Sequence, residues 1–192
     1  ASDVYKRQKL HNDIYSLDAL SLAPLLLGKL ICRNINGEII KARITETESY
    51  FGTEDTACHA HKGKTNRTKV LYEAGGIAYV YLCYGMHNLL NVVSGACGHP
   101  EAVLIRGAVI EGSGKNFYEV YKAKNSLNLD GPGKVTKRLQ IDRTFNEENL
   151  LKSDRLWLED DGFKCDFSRL KRVGINYATE EYINKLWRFK VK

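Results

Sequence analysis

Two adjacent residues, Asn36-Gly37, constrain the architecture of this chain more than any other pair. They separate two runs of strand character, 30–35 and 38–50. Both central residues of a tight type I′ turn need φ > 0, which Asn and Gly tolerate, so this arrangement predicts a β-hairpin. A second hairpin is expected where 77–84 and 89–94 flank Gly85-Met86-His87-Asn88, and 102–110 reads as another strand. Consecutive hairpins build antiparallel sheets, whereas βαβ units need long helical crossovers. The expected fold class is therefore α+β: a curved, largely antiparallel sheet, partly open and barrel-like, with peripheral helices and a protruding hairpin. Helices are expected over 17–27, stopped by Gly28, over 117–124, over 134–141 after Gly131-Pro132-Gly133, and over 179–185. Short strands are expected at 156–159 and 187–191, and an irregular polar loop over 51–76. Neither a repeat nor a linker interrupts the chain, so residues 9–192 are read as one domain. Met86 is the only methionine, and residues 1–8 are set aside as processing or expression remnants.

Charge narrows the partner. The formal net charge of +6 is unevenly spread. Lys62, Lys64, Arg67 and Lys69 fall within eight residues that hold no acid. Lys134, Lys137 and Arg138 would share one helical face, because residues three and four apart are neighbours there. Two local basic clusters fit a polyanion better than a uniformly charged surface does. The five cysteines follow neither a CxxC nor a disulfide-framework spacing, so reduced thiols and an intracellular, cytoplasmic protein are expected. No leader opens the chain and no apolar run approaches about 20 residues, so no membrane association is expected.

Three segments carry groups able to do chemistry. Glu46 and Glu48, two apart on a strand, point to one face, with Thr45, Thr47 and Ser49 opposite. That face is either solvated, or one carboxylate turns inward as a general base and needs a partner to stay ionised. Arg106, a lone charge in the apolar run 102–110, is a candidate partner; an edge-strand arginine facing solvent is the alternative. Cys58, His59 and His61 lack the second pair of ligands that zinc needs, so no metal is expected. His59 is open to stacking on a base, binding a phosphate, or a plain surface role. Tyr79 and Tyr81 share a face suited to packing, while Tyr84 lies at the hairpin tip, free to wedge into a base stack or to lie flat on its own sheet. Gly131-Pro132-Gly133-Lys134-Val135-Thr136 is not a P-loop, since valine follows the lysine; a DNA-backbone contact is the preferred reading.

Taken together, these residues resemble the alkyladenine (3-methyladenine) DNA glycosylase family, in its bacterial form. The resemblance runs in order from Leu26-Leu27-Gly28-Lys29 through Glu46-Thr47-Glu48-Ser49-Tyr50-Phe51-Gly52, Asp55-Thr56-Ala57-Cys58-His59 and Thr65-Asn66-Arg67. It continues through Tyr79-Val80-Tyr81-Leu82-Cys83-Tyr84-Gly85-Met86-His87, Asn91-Val92, Val103-Leu104-Ile105-Arg106-Gly107, Gly131-Pro132-Gly133-Lys134 and Arg172-Val173-Gly174-Ile175 to Trp187-Arg188-Phe189. It implies a cofactor-free, monofunctional enzyme that acts as a monomer on double-stranded DNA, flipping out a damaged purine and hydrolysing its N-glycosidic bond. By position, Glu48 matches the base that activates water, with Arg106 and the Val173 carbonyl helping to hold that water. Tyr50 matches one wall of the base sandwich, His59 and Tyr81 the other, and Asn91 the residue that crowds the guanine amine. Tyr84, with Met86 beside it, matches the intercalating tip, and Thr65, Arg67 and Lys134 match DNA-backbone contacts. Asn66, Thr68, Leu71, Tyr72 and Ser49 depart from the family pattern, mostly in the DNA-facing loop. Two other readings of the residues are a non-catalytic nucleic-acid-binding module on a scaffold similar to the C-terminal domain of methionyl-tRNA formyltransferase, and a hydrolase of free nucleosides. The first has no use for a buried carboxylate beside DNA, and the second needs neither Tyr84 nor the basic clusters.

Overall fold

A computed structural model describes residues 8–192. Ten strands form one antiparallel sheet: β1 (Gln8–Lys9), β2 (Leu30–Ile35), β3 (Glu38–Phe51), β4 (Ala78–Cys83), β5 (His87–Val93), β6 (Glu101–Ile110), β7 (Asn128–Asp130), β8 (Leu156–Asp160), β9 (Phe167–Leu170) and β10 (Arg188–Val191). The main path runs β1-β8-β2-β3-β6-β5-β4; β10 joins β3 to β9, and β7 borders β6. Five helices flank it: α1 (Asn12–Tyr15), α2 (Ala19–Leu26), α3 (Phe117–Lys122), α4 (Pro132–Arg138) and α5 (Glu180–Asn184). The expected α+β class and both hairpins are found. No helix among the described residues is long and apolar enough to cross a membrane.

Strand β3 is the spine of the sheet. Its first half pairs with β2 through the Asn36-Gly37 turn, where both residues have positive φ (51° and 91°). Its second half lies between β6 and β10. One face of β3 is sealed by α2: Thr47 Oγ1 donates to the Ala23 carbonyl at 2.9 Å and Ser49 Oγ to that of Ala19 at 2.7 Å. The opposite face is closed separately, where Arg188 and Lys190 of β10 meet Glu46 and leave Glu46 and Glu48 buried, so the solvated-face alternative is excluded.

Several boundaries differ from expectation, each for a physical reason. Helix α4 starts at Pro132, whose missing N–H costs nothing in the first turn, rather than at Lys134. It ends at Arg138 rather than at residue 141 because Gln140 takes the left-handed conformation (φ 49°). The Gln140 and Ile141 N–H groups then close on the Lys137 and Thr136 carbonyls, a Schellman ending without the usual glycine. Helix α2 begins only at Ala19, because Asp18 caps it by accepting from the Ser21 N–H. Of the residues set aside, 1–7 lie outside the described residues. Gln8 does not belong with them: it pairs with Asp160 in the sheet. Segment 51–76 is irregular, as expected, but partly buried. Two 3₁₀ turns fold it onto the sheet and bury Ala57, Cys58, Ala60, Val70 and Leu71.

Candidate active site

The sheet register assembles the site on one face. Glu48 pairs with Leu104, Leu104 with Asn91, and Asn91 with Tyr79, so these residues form a row across four strands. Registered neighbours project to the same side. Two residues along β3, Tyr50 pairs with Ala102, and Tyr81 follows Tyr79 along β4. The period-2 pattern and the pairing thus place a carboxylate, an amide and three phenols on one surface.

At the Glu46–Arg106 level the β3–β6 ladder slips twice, between Ile44 and Glu46 and again between Glu46 and Thr47. The first slip leaves Thr45, and the second leaves Arg106, outside the register. Bulges of this kind re-aim side chains, and here Arg106 turns onto both carboxylates. Its Nε donates to Glu46 Oε1 at 3.3 Å and lies 3.5 Å from Glu48 Oε1. Gly107 keeps the bulge tight, since a Cβ there would sit 2.8 Å from Thr45 Oγ1.

The two glutamates are driven apart electrostatically. Burial pushes Glu46 up, but the Arg188 hydrogen bond (3.0 Å) and the charges of Lys190 and Arg106 more than offset it, leaving its pKa lowered. Glu48 is fully buried, and its pKa is raised. Burial is the dominant cause there, opposed by Arg106, the Val173 N–H at 2.7 Å and the Tyr50 hydroxyl at 2.9 Å. Environments that separate two carboxyl pKa values suit them to different tasks, Glu46 to that of a fixed counter-ion and Glu48 to proton exchange. Val173 lies beside Glu48, and the group that touches the carboxylate is its N–H.

Beside this cluster lies a cleft of about 710 Å³, walled by Tyr50, His59, Tyr81, Arg106, Val173 and Tyr177. The rings are neutral at physiological pH. Burial and the nearby Arg67 hold His59 down at about 4, while burial raises the phenols of Tyr50, Tyr79 and Tyr81. His59 Nδ1 is hydrogen-bonded to the Tyr79 hydroxyl at 2.9 Å, and His61 Nδ1 to the Thr53 carbonyl at 2.7 Å, so the two imidazoles serve separate partners. Asn91 is buried, with its amide donating to the Tyr79 carbonyl at 3.1 Å.

Hairpin β4–β5 carries Tyr84 and Met86 at its tip, 86% and 72% exposed. Tyr84 and Gly85 both have positive φ (50° and 66°), an uncommon conformation for an aromatic residue. Helix α4 docks against β5 where Gly133 offers no Cβ to the His87 ring, and Thr136 Oγ1 donates to the Asn88 carbonyl at 2.6 Å. That docking places Lys134 on the cleft, with Arg67, whose guanidinium lies 5.2 Å from the Tyr81 ring centre. Met86 lines a separate small cavity, and Thr65 is engaged with Thr68 (Oγ1–Oγ1 3.1 Å), away from the cleft lining.

Sequence reasoning left three neighbours without a role. Arg172 and Asp55 form a fully buried ion pair behind Tyr50, and Tyr177 closes the pocket edge through a 2.9 Å hydrogen bond to the Ala57 carbonyl. Arg172 and Asp55 stand inside quoted blocks, but nothing local in the sequence marks them as partners 117 residues apart.

Comparison with known proteins agrees with the geometry. The family model described as methylpurine-DNA glycosylase matches residues 13–192. A protein of Borrelia garinii subsp. bavariensis named as a candidate 3-methyladenine DNA glycosylase is 48% identical over 178 residues, 91% of each chain. Relatives so named from Natranaerobius thermophilus (42% identical, 96% of each chain) and Clostridium perfringens strain SM101 (44%, 96% of each) are similar along almost their full length.

Proposed function

Since the chain belongs to the methylpurine-DNA glycosylase family and is a DNA glycosylase of base excision repair, we propose that it flips an alkylated or deaminated purine from duplex DNA and hydrolyses the bond with a water activated by Glu48. The observation that carries this reading is the buried Glu48 carboxylate, held by Arg106, Val173 and Tyr50 at the edge of an aromatic cleft. The water oxygen attacks C1′ of the sugar as the bond from C1′ to the purine nitrogen breaks, and its electron pair leaves with the base. Glu48 takes the water's proton and stabilises positive charge developing on the sugar. Arg106 and the Val173 carbonyl hold the water. In this reading the bond is hydrolysed without a lyase step.

A flipped base loses its stacking, which the Tyr50, His59 and Tyr81 rings replace. Neutral His59 and protonated phenols present electron-rich faces without positive charge, which favours cationic alkylated purines. Asn91, pinned across β4 and β5, crowds the exocyclic amine of guanine. Tyr84 fills the gap in the duplex, with Met86 beside it, and Thr65, Arg67 and Lys134 meet the backbone. The enzyme acts as a monomer, in the cytoplasm, without a cofactor.

Two results test this. Excision kcat/KM should lose activity on the acid side at a pH above the ordinary glutamate value of about 4.3. The sign follows from chemistry: only ionised Glu48 accepts a proton, and its raised pKa moves that requirement upward. Arg106→Leu removes a charge that lowers this pKa, so the acid limb should move further up; an unmoved limb would remove Glu48 as the titrating base. Separately, Tyr84→Ala should slow single-turnover excision about 10–100-fold, the equivalent of one lost stacking contact. Tyr84→Asn, which suits the left-handed turn, should do the same without lowering Tm. Parent-like excision by both variants would rule out the wedge.

A further inference from the structure

Helix α4 also faces a second concavity beyond the cleft. There it borders a groove of about 810 Å³ that runs toward the segment linking α3 to β7. Five cations line it, Lys122, Lys124, Lys134, Lys137 and Arg138, against one acid, Asp130. Asp130 is engaged by Lys134, one turn away, in an i,i+4 ion pair. Among the described residues, Lys122, Lys124, Lys137 and Arg138 form no ion pair, so their charge is available. The floor is preorganised rather than loose. Asn125 Oδ1 accepts from the Leu127 and Asn128 N–H groups, and Asn128 Nδ2 donates to the Tyr121 carbonyl at 2.5 Å. Lys134 and Lys137 line this groove and the cleft alike, so α4 is the ridge over which the two are continuous.

We propose that this groove seats the sugar-phosphate backbone of the same duplex on one side of the lesion, with Lys122 and Lys124 as phosphate contacts beyond the reach of the base pocket. Unpaired cations lining a polar groove are the footprint of backbone binding, which positions a duplex without reading its sequence. The groove's place on one flank of the hairpin makes the footprint asymmetric about the flipped nucleotide. The inference rests on reading the cleft as the lesion-DNA site. It adds a flank that excision chemistry does not need.

The test uses the full chain and duplexes carrying an uncleavable abasic-site analogue, so that binding is read without catalysis. One duplex extends well to both sides, one is cut short on the 5′ side of the analogue, and one is cut short on the 3′ side. The parent should bind one truncated duplex less tightly than the other. In the Lys122→Gln/Lys124→Gln variant that difference should vanish, with the logarithmic salt slope on the long duplex smaller by about two. Raising salt from about 50 to about 200 mM should then weaken the parent about tenfold more than the variant. An unchanged slope, or an equal loss on all three duplexes, would overturn the groove contact in favour of a diffuse charge effect. Single-turnover excision at saturating enzyme should match the parent. If the parent itself excises nothing, the reading of the cleft fails, while the binding comparison still decides the groove.

Discussion

Single-turnover excision by a Glu48→Gln variant is expected to fall by about 10²–10⁴-fold, the range for loss of a positioned general base, with lesion-duplex affinity retained. The substitution is close to isosteric and the site can accept it. The carbonyl oxygen of the new side-chain amide can take the Val173 N–H now held at 2.7 Å, and its NH₂ group can donate to the Tyr50 hydroxyl now at 2.9 Å. What disappears is the ability to take a proton from water. Folding should not suffer, and the sign follows from linkage. A carboxyl whose folded-state pKa is raised binds more protons folded than unfolded over the intervening pH range, so stability falls as pH rises through that range. At neutral pH the ionised Glu48 is therefore a net cost, and the neutral amide should leave Tm equal or higher. A variant with parent-like excision, measured with enzyme in excess over a single-lesion duplex, would falsify the assignment of Glu48 as the base. Lost excision together with a lowered Tm would point to a structural role instead.

The parts of the molecule legible in the sequence were those written in local patterns. Asn36-Gly37 marks its hairpin because the turn needs positive φ at two successive residues, and the alternation along β3 places Glu46 and Glu48 on one face. The same logic failed at residues 140–141, where no glycine announces the left-handed ending that Gln140 adopts. Strands β1, β7 and β9 escaped because two to four residues carry too little periodicity to read. In the site, the resemblance supplied Glu48, Arg106 and the pocket aromatics, but not how they are brought together. That depends on the paired slips at Thr45 and Arg106, which exist only when β3 and β6 are laid side by side. Whether the glutamate face is solvated was likewise undecidable from β3 alone, because the cations that meet it, Arg188 and Lys190, come from β10, registered against Glu48 and Glu46. Lys122 and Lys124 belong to neither of the basic clusters visible in the sequence, and only the fold sets them across a groove from α4.

The second large effect is expected at Asp55, which touches neither the cleft nor the β4–β5 hairpin. Its carboxylate and the Arg172 guanidinium are joined by two hydrogen bonds, at 2.6 and 2.9 Å, with both side chains fully buried. Asp55 also accepts from the Phe51 and Ala57 N–H groups, and Arg172 donates to the Ser49 and Tyr182 carbonyls. The guanidinium lies between the Tyr50 and Trp187 rings, 4.9 and 5.0 Å from their centres, so the pair backs the Tyr50 wall of the cleft. Removing one partner of such a pair strands a buried charge, which costs about 3–5 kcal/mol. For a chain of this size, Asp55→Ala should then lower Tm by about 6–20 °C, measured by calorimetry. The milder Asp55→Asn, which keeps an oxygen for the Ala57 N–H, should fall between the two. Because most of that cost is the stranded charge, adding Arg172→Leu to Asp55→Ala should destabilise by about 1–3 kcal/mol less than the sum of the single changes. Strict additivity, within about 0.5 kcal/mol, would mean that the two groups do not depend on each other.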